Sequence, residues 1–150
     1  MPIYTLEFQT HIHASPQALY EHLQNPQNFI GLQPLLTQVE RVRYQEKDGV
    51  QTVAYDTVEA FRWHGLVLYK NRIHAQTVFT QPPYQFHTVV HSFPNIVLHV
   101  EYRFTPQNGQ TLVQEITQIT THAWLAKFVT TQAAKAQTAL LANLKKRMES

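Results

Sequence analysis

The chain has 150 residues, 43% hydrophobic and 15% charged, with a formal net charge of +2. That is the length of one domain, enough for a real core and an internal cavity, while the charge is too small to imply nucleic-acid binding. The absence of cysteine excludes disulfides, thiol nucleophiles and thiolate metal sites and fits a cytoplasmic protein; the opening Met1-Pro2-Ile3-Tyr4 lacks the regions of a signal peptide, and no apolar run is long enough to span a membrane.

Residues 3–13 alternate, with Tyr4, Leu6, Phe8 and Ile12 on one face and Thr5, Glu7, Gln9, His11 and His13 on the other, the pattern of a half-buried strand. Ser15-Pro16 then supplies an N-cap and a first helical residue. Ala18, Leu19, His22 and Leu23 continue a short amphipathic helix as far as Asn25-Pro26, and Asn28-Phe29-Ile30-Gly31 make a second helical turn. From Leu36 the pattern is strand again. Lys47-Asp48-Gly49 signals a hairpin between residues 36–45 and 50–62. Further strands are expected over 66–79, 84–92, 96–105 and 110–121, separated by turns at His64-Gly65, Gln81-Pro82-Pro83, Phe93-Pro94-Asn95 and Pro106-Gln107-Asn108-Gly109. The count is seven strands, each antiparallel to its sequence neighbour except the first pair, which the helical insertion separates.

Alternation assigns inward faces to Ile96, Leu98, Val100, Tyr102 and Phe104; to Tyr84, Phe86, Thr88 and Val90; to Val67, Tyr69, Asn71, Ile73, Ala75 and Phe79; and to Val53, Tyr55, Thr57, Glu59 and Phe61. In the last strand two sets compete: Val113, Glu115, Thr117 and Ile119 against Leu112, Gln114, Ile116 and Gln118.

Residues 122–149 contain no Gly or Pro and read as one long helix, roughly 40 Å at 1.5 Å per residue. Leu125, Val129, Ala133, Ala136, Leu140 and Leu144 form its apolar stripe. The stripe is large at both ends and small in the middle, where Ala133, Ala134, Ala136 and Ala139 cluster. Lys145, Lys146 and Arg147 are favourable charges at a helix C-terminus. A sheet face of Tyr, Phe, Val and Ile set against that Ala-rich segment can leave a mostly apolar pocket with a few polar anchors.

This order, an α+β chain of strand, two short helices, six strands and a long terminal helix, resembles the helix-grip fold of the START/Bet v 1-like (SRPBCC) superfamily over the whole length, 1–150, as a single domain. Phe8-x3-Ile12-x-Ala14-Ser15-Pro16-x2-Leu19-Tyr20-x2-Leu23-x2-Pro26 is similar to the family's opening strand and helix, and Gly31-Leu32-x-Pro34 to the turn after it. Arg72-Ile73-x5-Phe79-x3-Pro83 and Tyr102-x-Phe104-x4-Gly109-x-Thr111-x-Val113 resemble its central and late strands. The nearest group in appearance is the polyketide cyclase/dehydrase and lipid-transport group. The resemblance implies a seven-stranded curved antiparallel sheet wrapped around the terminal helix, with a cavity between them that receives a small hydrophobic ligand.

Within that frame the candidate ligand-binding residues are Tyr55, Glu59, Tyr69, Asn71, Phe86, Thr88, Tyr102, Val129, Ala133 and Ala136. Glu59 and Glu115 are the candidate acid/base groups, assisted by Tyr55 or Tyr102, because a carboxyl in an apolar cavity has a raised pKa; the competing reading pairs them with Arg62, Arg72 or Arg103. His64, Trp63, His122 and Trp124 are expected near the cavity mouth, the tryptophans half-buried. His11-x-His13 and His87-x3-His91 fall on outward faces without a third ligand nearby, so no metal is expected, and the absence of a phosphate loop or nucleophile elbow leaves no cofactor to expect. Three functions follow: carriage of a small hydrophobic or aromatic ligand, a cyclase/dehydrase-type enzyme acting on a polyketide-like carbonyl compound, or a partner-binding module. No nucleic acid or integral membrane association is expected; the oligomeric state stays open.

Overall fold

In a computed structural model, the backbone is described for residues 1–63 and 66–150, and the side chains for all of these except 61–63 and 67–69. Seven strands, β1 (Ile3–Ile12), β2 (Leu36–Lys47), β3 (Val50–Trp63), β4 (Leu66–Gln81), β5 (Gln85–Ser92), β6 (Ile96–Gln107) and β7 (Gln110–Thr120), form one antiparallel sheet in the order β1-β7-β6-β5-β4-β3-β2. From β2 to β7 each strand pairs antiparallel with the next, and β1 pairs with β7. Asp48-Gly49 and Asn108-Gly109 turn two of the hairpins with positive φ at both residues, which Gly and Asn or Asp tolerate.

Helix α1 (Pro16–Gln24) starts as expected: the Ser15 hydroxyl accepts from Ala18 N at 3.1 Å and Pro16 occupies the first turn. A 3-10 turn at Pro26–Phe29 follows, capped by Asn25. The terminal helix α2 (Ala126–Glu149) begins later than residue 122, because a separate 3-10 turn, Ala123–Leu125, precedes it. Its buried positions are Ala126, Val129, Ala133, Leu140, Leu141 and Leu144, so Leu141 joins the expected stripe.

The sheet is curved, and its inward residues align across strands into rows. One row runs Leu6, Thr117, Val100, Thr88, Thr77, Val53 from β1 to β3; the next runs Phe8, Glu115, Tyr102, Phe86. The ambiguity in β7 resolves in favour of Val113, Glu115, Thr117 and Ile119, all buried, since only that register continues the rows of its neighbours. Tyr84 departs from expectation: the turn through Pro82-Pro83, closed by Tyr84 N donating to Gln81 O, holds it before β5, and it is half-exposed.

The interior divides in two. The larger cluster joins α1, the C-terminal half of α2 and the sheet, and contains Ile12, Leu19, Tyr20, Leu23, Phe79, Phe86, Phe104 and Leu144. Tyr20 stands at its centre, with ring centroids 5.9 Å from Phe79, 5.6 Å from Phe86 and 6.1 Å from Phe104, and its hydroxyl donates to Gln85 O at 2.9 Å. The smaller cluster, Ile119, Val129 and Ala133, lies under the N-terminal half of α2.

Candidate functional site

Where α2 passes from Val129 through Ala133 and Ala136 to Gln137, small side chains leave space against the sheet. Two adjoining chambers occupy it. The outer, about 300 Å³, is walled mainly by Ile73, Val90, Ile96, Leu98, Leu125, Phe128, Val129, Ala133 and Ala136, with Asn71, Ser92 and Gln132 as polar members. The inner, about 110 Å³, reaches Phe29, Leu36, Tyr55, Thr57, Ala75, Thr88, Val100, Tyr102 and Leu140. Gln33, Glu59, Ile73, Val90 and Gln137 belong to both walls and mark the junction. The outer chamber reaches the lower end of the usual range for small-molecule pockets, roughly 300–1,000 Å³, and like them is mostly apolar with a few placed polar groups.

Glu59 is the carboxyl at that junction. It sits opposite Leu36 on β2 and Asn71 on β4. Burial raises its pKa, and a hydrogen bond from the Gln33 side chain partly offsets the rise. Gln33 is oriented for this because its Oε1 accepts from Leu35 N, leaving the amide NH2 free to donate. Deeper in, the Tyr55 hydroxyl bonds to Thr77, whose Oγ1 lies 2.8 Å from that of Thr88. At the outer end, Asn71 Nδ2 donates to Ser92 Oγ at 2.8 Å.

Glu115 faces inward but lies behind the cavity wall. It is 0% exposed, and the residues in front of it are Tyr102, its cross-strand partner, and Gln137. Thr117 Oγ1 donates to its Oε1 at 2.9 Å. The Gln137 amide, oriented with nitrogen toward the acceptor-only carboxylate, reaches Oε1 at 3.1 Å and Oε2 at 2.7 Å. Burial pushes Glu115 up to about 7 against the pull of Thr117 and Tyr102, and burial likewise raises the Tyr102 phenol well above its ordinary value.

The expectation that both carboxyls point into the cavity is therefore corrected for Glu115, which reaches it only through Tyr102 and Gln137. Neither pairs with Arg72 or Arg103, which bind Glu40 at 2.8 Å and Glu101 at 2.7 Å; Arg62 falls outside the described side chains. Among the expected ligand-binding residues, Tyr55, Glu59, Asn71, Thr88, Tyr102, Val129, Ala133 and Ala136 line one chamber or both. Phe86 does not: it stacks on Tyr102 at 4.7 Å and fills the aromatic cluster beneath. The Tyr69 and Trp63 side chains and His64 lie outside the described residues. Trp124 is corrected from half-buried to 77% exposed, with His122 stacked on it at 6.3 Å. His11 and His13 bond to Gln107 and Gln110, and His87 to His99. Among the described residues no three His, Asp or Glu side chains converge as metal ligands.

Sequence reasoning missed Gln33, Gln137, Phe93 and Phe128. Gln137 left a signal, a polar side chain four residues after Ala133 and three before Leu140 on the inward stripe. Gln33 left none, since its place depends on the path of the loop before β2.

The family model described as polyketide cyclase/dehydrase and lipid transport matches residues 5–149, and the chain belongs to that family. No curated protein matches it by sequence. Among solved structures, the Zhui aromatase/cyclase from Streptomyces sp. R1128 superposes with a TM-score of 0.76 at 14% identity, over 99% of this chain and 94% of that one. A START superfamily protein from Mycobacterium smegmatis gives 0.75 at 12% identity over 97% of both chains, and the protein TTHA0849 from Thermus thermophilus gives 0.73 at 15% over 97% of both. The expected helix-grip fold and superfamily both hold.

Proposed function

We propose that this member of the polyketide cyclase/dehydrase and lipid transport family is a carrier for a small, mainly apolar molecule with one polar end. The observation that carries this reading is the pairing of an apolar outer chamber with an inner one edged by Tyr55, Thr88, Tyr102, Glu59 and Gln137. The apolar body of the ligand occupies the outer chamber, where burial drives binding, and its polar end turns inward to groups that would otherwise face an apolar space. Native mass spectrometry of freshly purified protein, followed by extraction of any bound compound, tests it. A stoichiometric apolar adduct supports carriage. A bare protein that also fails to bind a fluorescent apolar probe such as anilinonaphthalene sulfonate overturns it.

A second reading rests on Glu59, a carboxyl of raised pKa at the chamber junction. In its protonated form it donates to a ligand carbonyl oxygen, and once ionised it takes up a proton from the adjoining carbon, the exchange that a cyclisation or dehydration needs. Gln33 holds it in position. Incubation with a linear poly-β-ketone thioester mimic, followed by mass analysis for loss of water, separates the readings. Turnover that disappears in Glu59→Gln supports the enzyme; binding without turnover leaves the carrier.

A further inference from the structure

We propose that the mouth of the cavity is a docking surface for an anionic lipid bilayer. Phe93, in the turn between β5 and β6, is 75% exposed, and Phe128, in the first turn of α2, is 58% exposed, yet both belong to the wall of the outer chamber. They stand on its rim, with their rings in water. Trp124, in the 3-10 turn that precedes α2 and four residues before Phe128, is 77% exposed. Two large exposed rings from separate elements thus meet at one opening, and a third, Trp124, lies four residues from one of them in the chain, a clustering that scattered surface apolar residues do not show.

The elements that frame this opening are poor in acidic residues, Glu59 at the chamber junction being the exception on its wall. No Asp or Glu occurs between Glu59 and Glu101, or between Glu115 and Glu149. Those two stretches supply β4, β5, the start of β6 and nearly all of α2. Lys127 lies between Trp124 and Phe128 and is exposed, and Lys135 is exposed two turns further along the same side of the helix. Exposed aromatic rings flanked by lysines, with Glu59 set back at the chamber junction as the acidic wall residue, match the surface of an anionic membrane. A second copy of the chain fits less well, because a two-fold contact through this face would bring the same lysine-bearing surface, with Lys127 and Lys135, together from both copies. The inference goes beyond ligand carriage and does not require the cavity to be filled.

The test is co-sedimentation of the protein with phosphatidylcholine vesicles, with and without about 30 mol% phosphatidylglycerol, at low and high salt. Binding is expected to the anionic vesicles alone, to weaken with salt, and to fall about tenfold in Trp124→Ser/Lys127→Glu. That variant alters only exposed side chains, and its circular dichroism spectrum checks its fold. In the wild-type protein, brominated lipid should quench tryptophan emission, and the quenching should vanish in Trp124→Ser. No sedimentation at low salt, or binding and quenching indifferent to these substitutions, overturns the proposal. So does a concentration-dependent dimer that the double variant dissociates and that ignores vesicles.

Discussion

The Gln137 amide on α2 lies against the Glu115 carboxyl on β7 and, turned with its nitrogen toward that group, donates to both oxygens at 3.1 and 2.7 Å. The pair ties the helix to the sheet at the floor of the inner chamber and leaves a carboxyl fully buried with, among the described residues, no arginine or lysine paired to it. Burial raises its pKa from the ordinary 4.5 to about 7. Between those values the native state holds a proton that the unfolded chain releases, so folding takes up a proton and stability falls as pH rises. Glu115→Gln keeps an acceptor for Thr117 and removes the charge. It should be more stable than wild type above pH 7 by roughly 3 kcal/mol and no more stable near pH 4. Urea denaturation across that range checks this, and a wild-type minus variant difference that does not change with pH would sink it.

Ala136 lines the outer chamber and is half-buried. Ala136→Phe places a ring in that space, so binding of an apolar probe should be lost with the melting temperature little changed. In a filled core the same substitution would overpack, at a cost of about 1–3 kcal/mol. Calorimetry and probe titration on one sample distinguish the two results.

Glu59 should control the pH dependence of binding. A carbonyl-bearing ligand needs its protonated form as donor, so affinity should fall as pH rises through the raised pKa of this carboxyl. Glu59→Gln, which keeps a donor, should flatten that profile, while Glu59→Ala should weaken binding at every pH. Isothermal titration with a small aryl ketone reads all three curves.

Phe86 packs against Tyr20, Phe79, Tyr102 and Phe104. Phe86→Ala should cost about 3–5 kcal/mol in stability, as for other buried aromatic truncations. Val90→Ala, on the cavity wall, should cost less and alter ligand affinity instead. Loss of ligand affinity without loss of stability in Phe86→Ala would return that ring to the binding site.

The strands were legible because alternation is local: Ile96 to Phe104 declares its faces without reference to any neighbour. The helix was legible from its stripe, and the run of alanines foretold the space beneath it. Glu115 shows where this ends. Its inward face could be narrowed to two sets, but whether it lined the cavity or lay beneath it depended on Tyr102 and Gln137, side chains from two other elements. Phe86 failed for the same reason: an inward aromatic reads alike whether it walls a cavity or fills a core, and only the position of Tyr20 decides.

The two halves of α2 are anchored unequally. Toward its C-terminus, Asn143 donates to Leu32 O at 2.8 Å, Lys145 to His11 O at 2.6 Å, and Arg147 to Asn28 O and Ile30 O at 2.6 and 3.1 Å. Gly31 is the residue that lets Arg147 pass, since a Cβ there would stand 3.0 Å from the guanidinium. Toward its N-terminus, the buried apolar contacts come down to Ala126, Val129 and Ala133. The helix is in effect a cantilever, clamped by hydrogen bonds at one end and held only by a small apolar cluster at the end over the cavity. Its amides should exchange with solvent deuterium in a gradient, fastest before residue 133. Widening the mouth of the cavity would then need only the first two turns or so of the helix, residues 126–133, to shift, with the rest of the protein left in place.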